Sequence, residues 1–103
     1  MSLQKFRSYQ LAVEFYRKAR EVRLPLHLQD QLLRASSSIV LNLAEGSAKG
    51  THRDRVRFYR IALGSQRECC ALLDLVKQPP TETVQLCDKL GGHIYRLVNA
   101  PNS

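Results

Sequence analysis

The sequence predicts an all-α protein, an up-down-up-down antiparallel four-helix bundle. Apolar residues recur at spacings of three and four in four separate segments, as in helices that bury one face. Proline or glycine interrupts the pattern between segments, and connections of roughly five residues favour antiparallel neighbours. Strand-like alternation is absent. We therefore expect one domain, residues 1–103, with helices at about 4–23, 26–45, 51–77 and 81–98.

The first two helices are separated by a proline. Pro25 disfavours α geometry at the preceding residue, so the first helix must end near Leu24. The second helix carries a heptad-like seam on which Asn42 falls among apolar side chains. A buried amide needs hydrogen-bond partners, so we expect Asn42 to fix helix register. The seam consists of Leu28, Leu32, Ala35, Ile39, Asn42 and Gly46.

The third helix follows a loop bounded by Gly46 and Gly50, either of which could take the positive φ that ends a helix. Thr51 and Asp54 have the spacing of a capping box. This longest helix carries two apolar seams, more than a small core needs, so the second predicts contact with another subunit. The seams are Val56, Tyr59, Leu63, Gln66, Cys70, Leu73 and Phe58, Ala62, Ser65, Cys69, Leu72, Val76.

The fourth helix begins after Pro79 and Pro80, with Thr81 as its expected N-cap. Gly91 and Gly92 fall in the middle of this helix. Each weakens it by about 1 kcal/mol relative to alanine. Close approach to a neighbouring helix would compensate for that cost.

The charge is unevenly distributed. The net charge is +7, and residues 49–67 hold six basic side chains against one acidic side chain, Asp54. Four arginines after the loop lie within about 80° of one another on a helix, with Gly64 among them. Such a stripe suits contact with nucleic-acid phosphates, although it could also be an ordinary solvated face. The predicted nucleic-acid-binding residues are Lys49, Arg53, Arg55, Arg57, Arg60 and Arg67.

Other chemistry finds little support. Three cysteines without ligand spacing predict neither disulfides nor a metal site, and they fit a reducing, cytoplasmic location. The sequence has no apolar run long enough for a signal peptide or a membrane span, so we expect neither. His27, His52 and His93 fall on different elements and form no catalytic pattern. We therefore expect no catalytic residues, no metal and no cofactor.

The central segment carries a distinctive set of spaced residues, which are Gln31, Leu32, Arg34, Ala35, Ser38, Ile39, Asn42, Ala44, Glu45 and Gly46, then Thr51, Phe58, Ile61, Ala62, Gly64, Ser65 and Glu68. In these residues it resembles a known family, the four-helix-bundle proteins encoded in intervening sequences of bacterial 23S ribosomal RNA genes. Leu33 and Leu43 depart from the residues that are common in that family. Pro25 and the segment 90–97 also match.

The resemblance implies a ring-shaped homopentamer of four-helix bundles. It also implies a relationship to the accessory variability determinant of diversity-generating retroelements, which works with a reverse transcriptase and its template RNA. Within the matched segment, small and polar residues are expected to set helix approach and assembly, with Glu45 pairing with Arg34 or a neighbouring helix. These assembly residues are Arg34, Ser38, Asn42, Glu45, Gly46, Gly64, Ser65 and Glu68.

Two functional hypotheses follow. The first is a non-enzymatic oligomeric module that binds nucleic acid, RNA in particular, through the phosphate backbone. The second is a protein–protein adaptor, for example an accessory subunit of a reverse transcriptase in a diversity-generating retroelement. The first predicts binding that weakens steeply with salt, and the second predicts a protein partner that survives nuclease treatment.

Overall fold

The fold is a closed four-helix bundle, seen in a computed structural model that describes residues 2–102. A short 3-10 turn, Leu3–Lys5, precedes the helices α1 (Arg7–Ala19), α2 (Leu26–Ser47), α3 (His52–Asp74) and α4 (Thr81–Val98). Each helix packs against the next along the chain, and α4 packs back against α1. Over the described range there are no strands. The predicted all-α, up-down-up-down bundle is confirmed.

The first helix is shorter than predicted at both ends. Phe6 takes an extended conformation (φ −85°, ψ 103°) between the 3-10 turn and α1, so the helix begins at Arg7. It ends at Ala19, yet Val22 in the following connection is buried. Apolar side chains are therefore buried beyond the end of α1, so the apolar pattern in the sequence is longer than the helix itself. The other boundaries shift by three residues or fewer, with α2 reaching Ser47 and α3 ending at Asp74.

The buried seam of α2 differs from the predicted one at two positions, Leu28 and Asn42, which are both half-buried. Leu43 is fully buried, whereas Asn42 is only half-buried and lies beside the core. Ser36 is also fully buried, and its hydroxyl donates to the Leu33 carbonyl at 3.2 Å. The prediction that Asn42 lies in the buried seam was wrong, because the next residue, Leu43, takes that place in the core.

Both apolar seams of α3 are used inside the chain. One side of the helix reaches α2, where Ser65 meets Ser38, and the other reaches α4, where Gln66 meets Cys87. The seam that contains Ser65 therefore faces α2 and the seam that contains Gln66 faces α4, so both are used within the bundle. A helix in a closed bundle has two neighbours, so two seams on α3 do not by themselves indicate another subunit, and oligomerisation stays a prediction.

Gly46 allows α2 and α3 to approach closely. It is buried and helical, and no residue within 2–102 has positive φ, so the predicted left-handed ending at Gly46 or Gly50 was wrong. A Cβ at Gly46 would lie 2.7 Å from Cε1 of Tyr59 and 3.1 Å from Cβ of Phe58. The glycine is therefore required by packing and not by backbone conformation.

The predicted caps had different outcomes. Thr51 caps α3, since its hydroxyl accepts from the Asp54 amide at 3.2 Å, as predicted. Thr81, in contrast, is the first helical residue of α4, and Pro80 occupies the N-cap position. Proline fits there because it has no N–H to leave unpaired.

The close approach expected at the paired glycines exists at Gly91. A Cβ there would lie 2.5 Å from Nε2 of Gln66. That buried amide donates to the Cys87 carbonyl at 3.0 Å, so it ties α3 to α4 across the glycine. At Gly92 the nearest atom is Nη1 of Arg96 at 3.8 Å, which leaves room for a methyl group.

Candidate nucleic-acid interface

The first three arginines of the stripe lie together on the outer face of α3. Arg53, Arg57 and Arg60 are exposed and line one open cleft of about 560 Å³ with Asp54. They recur at four and three residues, so one helical turn separates each from the next. The structure therefore brings these three predicted residues to one surface.

The stripe arginines are free to pair with an external anion. Two ion pairs form among residues 2–102, Lys18 with Glu82 and Lys49 with Glu45, each at 3.0 Å. Neither contains a stripe arginine, so a phosphate would not have to displace an internal carboxylate.

An aromatic ring supports the start of the stripe. The Phe58 ring centroid lies 4.7 Å from Cζ of Arg57 and 5.0 Å from Nζ of Lys49. Cations at this distance from an aromatic face are attracted by about 0.5–1 kcal/mol at exposed sites. The ring therefore holds two predicted phosphate-binding cations in a common region.

Two predicted residues have internal roles. Arg55 is half-buried, and its Nη1 donates to the Lys49 carbonyl at 3.1 Å, so it braces the loop and lies off the exposed stripe. Lys49 forms the ion pair with Glu45 one turn earlier. The expected pairing of Glu45 with Arg34 or another helix was wrong, because the loop lysine lies at i,i+4.

Arg67 lies two turns beyond Arg60 and borders a second surface. It lines a groove of about 550 Å³ between α3 and α4, together with Asp74, Asp88 and Tyr95. Tyr95 is 59% exposed. This groove was not predicted from the sequence. The available signal was the spacing of Tyr95, which follows the Gly91–Gly92 pair by one turn of helix.

The predicted assembly residues lie in three places. Ser38 Oγ and Ser65 Oγ lie 2.9 Å apart, and the Asn42 amide donates to the Ser38 hydroxyl at 3.1 Å. A polar slot of about 310 Å³ opens above this network between α2 and α3. Its lining includes Gln31, Arg34, Ser38, Ser65 and Glu68, whereas Glu45 and Gly46 lie near the loop and Gly64 lies among the stripe arginines.

Cys70 and Cys87 meet between α3 and α4, whereas His93 of α4 lies near Arg7 of α1. Cys70 Sγ and Cys87 Sγ are 3.3 Å apart as free thiols. Burial raises the pKa of the Cys69 thiol to about 12 and also raises the pKa of Cys87. Burial, with nearby Arg96, lowers the pKa of His93. In the described part of the chain no group of three or more His, Cys, Asp or Glu side chains could hold a metal ion.

No helix within residues 2–102 is long and apolar enough to cross a membrane. No curated protein and no solved structure matches the chain. A family model described as 23S rRNA-intervening sequence protein matches residues 4–100, nearly the whole chain, and that description names no enzymatic activity. The chain therefore belongs to the family of 23S rRNA-intervening sequence proteins.

Proposed function

We propose that the protein is a non-enzymatic, oligomeric, cytoplasmic module that binds nucleic acid, in particular RNA, through the phosphate backbone. The observation that carries the proposal is the cleft of Arg53, Arg57 and Arg60, three exposed guanidinium groups without an internal ion pair among the described residues. Guanidinium groups bind phosphate oxygens through a planar fork of donors.

The stripe has a length that suits a nucleic-acid strand. At 1.5 Å per residue, Arg53 and Arg67 are separated by about 21 Å along the axis of α3. One strand of a duplex presents about six phosphates over that distance, at roughly 3.4 Å each. Four arginines can therefore meet several phosphates of one strand without reading the bases.

Assembly into a homo-oligomer, a pentamer by the family resemblance, would multiply this charge. Support for a subunit contact comes from the outer faces of α2 and α3, where Leu41 is 66% and Ile61 is 46% exposed. The polar slot adds Arg34 and Glu68, neither of which has an ion-pair partner among residues 2–102. A second copy can supply both apolar contact and opposite charge to this face. Light scattering that gives a monomer at micromolar concentration would contradict the assembly.

The test of binding is a salt titration with a matched charge control. The stripe variant carries Arg53→Gln, Arg57→Gln and Arg60→Gln. The control carries Arg17→Gln, Arg20→Gln and Arg23→Gln, which removes three exposed charges from another surface. Fluorescence anisotropy with single-stranded and duplex RNA at several salt concentrations gives the slope of log K against log salt. We expect the stripe variant to lose roughly 2–3 units of slope, and the control to lose much less.

Two results would contradict the proposal. One is the absence of binding by the unmodified protein at ~50 mM salt, where phosphate contacts are strong. The other is an equal loss in both triple variants, since binding would then follow total charge and not the stripe.

The adaptor remains a second candidate because of the exposed Leu41 and Ile61. An apolar patch beside charged side chains can dock a protein such as a reverse transcriptase. Capture of one defined protein by the unmodified chain after nuclease treatment, and its loss in a Leu41→Ser, Ile61→Ser variant that remains folded, would favour this role over direct binding of nucleic acid.

A further inference from the structure

The groove between α3 and α4 continues the basic stripe and shares Arg67 with it. Its volume of about 550 Å³ falls in the range of small-molecule sites. On the α4 side, Gly92 contributes no side chain, and Gln66 fills the floor beside Gly91. The groove is therefore an open recess next to the last cation of the stripe.

An exposed aromatic side chain lies in the lining of this recess. Tyr95 is 59% exposed, and it is one of five large apolar side chains in the described range that remain substantially in solvent. An exposed aromatic face beside cations is the arrangement with which single-strand-binding proteins stack unpaired bases. Duplex nucleic acid cannot use it, because its bases are already stacked on one another.

Two carboxylates distinguish the groove from the stripe. Asp74 and Asp88 both line it, and neither forms an ion pair within residues 2–102. Carboxylates repel phosphate, so the groove is a poor place for the backbone itself. They do accept hydrogen bonds from the exocyclic amino groups of bases, as in carboxylate recognition of the cytosine amino group. The arginines of the stripe therefore favour phosphates, whereas the carboxylates of the groove favour a base.

We propose that the groove binds an unpaired nucleobase of single-stranded RNA whose phosphates lie on the arginine stripe. Tyr95 stacks on the base, Asp74 and Asp88 accept from its amino group, and Arg67 contacts the adjoining phosphate. This inference rests on the proposed nucleic-acid binding and adds a preference for single strands and for bases that carry amino groups.

The test compares Tyr95→Ala with Tyr95→Phe, which keeps the aromatic ring. Three probes are used: a cytosine-rich single-stranded RNA, the same strand with abasic positions, and a blunt RNA duplex. Loss of a stacking side chain typically weakens binding by about 5- to 150-fold per base. We expect that loss for Tyr95→Ala with the intact single strand only, and little change for Tyr95→Phe or with the other two probes.

The outcomes separate the groove from the stripe. If Tyr95→Ala binds the intact strand normally, or weakens all three probes equally, the groove assignment is overturned while backbone binding stands. If the unmodified protein binds none of the probes, both proposals fail. A uracil-rich strand should bind more weakly than the cytosine-rich strand, since uracil has no exocyclic amino group, and equal binding would overturn the role given to Asp74 and Asp88. Circular dichroism of each variant checks folding.

Discussion

The adjacent glycines of α4 allow a matched test of the α3–α4 contact. Gly91→Ala and Gly92→Ala make the same chemical change one residue apart in the same helix, so each gains about 1 kcal/mol of helix propensity. Only at Gly91 does the new methyl group meet an obstacle, the Gln66 amide, whose Nε2 would be 2.5 Å away. At Gly92 the nearest atom is at 3.8 Å. The difference in stability between the variants therefore measures the contact alone.

The expected cost at Gly91 has two parts. The Gln66 amide must move and lose its 3.0 Å bond to the Cys87 carbonyl, and an unpaired buried polar group costs about 1–3 kcal/mol. The displaced side chain adds overpacking of about 1–3 kcal/mol. After the propensity gain of about 1 kcal/mol, Gly91→Ala should lower the free energy of unfolding by about 1–5 kcal/mol. Gly92→Ala should raise it by about 1 kcal/mol.

Urea and thermal unfolding followed by circular dichroism measure both variants. We expect Gly92→Ala to raise Tm by about 4–8 °C and Gly91→Ala to lower it by at least about 4 °C. All samples need the same protomer concentration, because the stability of an oligomer depends on it. In a Gln66→Ala background the clash is gone, so Gly91→Ala should recover its gain of about 1 kcal/mol. Equal stabilities of the two single variants, or a clash that persists without Gln66, would refute the reasoning.

Two further predictions concern titratable groups, the cysteines and His93. Cys70 is half-buried in the groove while Cys69 and Cys87 are buried with raised pKa, so iodoacetamide at about pH 8 should modify Cys70 first. Mass spectrometry that finds Cys69 or Cys87 modified earlier would contradict this. The lowered pKa of His93 means that the folded state binds its proton less well than the unfolded state. Stability should therefore fall as the pH is lowered through the unfolded value of about 6.5, and His93→Gln should reduce that fall.

Features that depend on local sequence could be predicted. The four helices, the Thr51 cap and the close approach at Gly91 each follow from a spacing or from a residue type with one physical meaning. The arginine stripe is also local, since helical geometry alone places Arg53, Arg57 and Arg60 on one face. The structure confirms that these three side chains share a cleft.

Features that depend on how helices pack sideways could not be predicted. Asn42 and Leu43 are 100° apart on α2, and the positions of the neighbouring helices α1 and α3 decide which of them is buried. Tyr95 likewise belongs to an apolar helix, and its exposure depends on the groove beside it. Arg55 lies within the basic run but turns to the Lys49 carbonyl, a partner six residues away. Sequence spacing fixes a face of a helix but not its neighbours.

The contact of Gly46 with α3 has a consequence for the entropy of ligand binding. Phe58 packs beside Gly46, and the same ring holds Arg57 and Lys49. Long side chains lose rotamer freedom when they bind, at about 0.5–1.5 kcal/mol for each one immobilised. Arg57 of α3 and Lys49 of the loop lose part of this freedom when the protein folds, because the Phe58 ring holds them. The glycine inside α2 therefore helps to preorganise both cations. A larger residue at Gly46 would therefore weaken anion binding even where the bundle still folds.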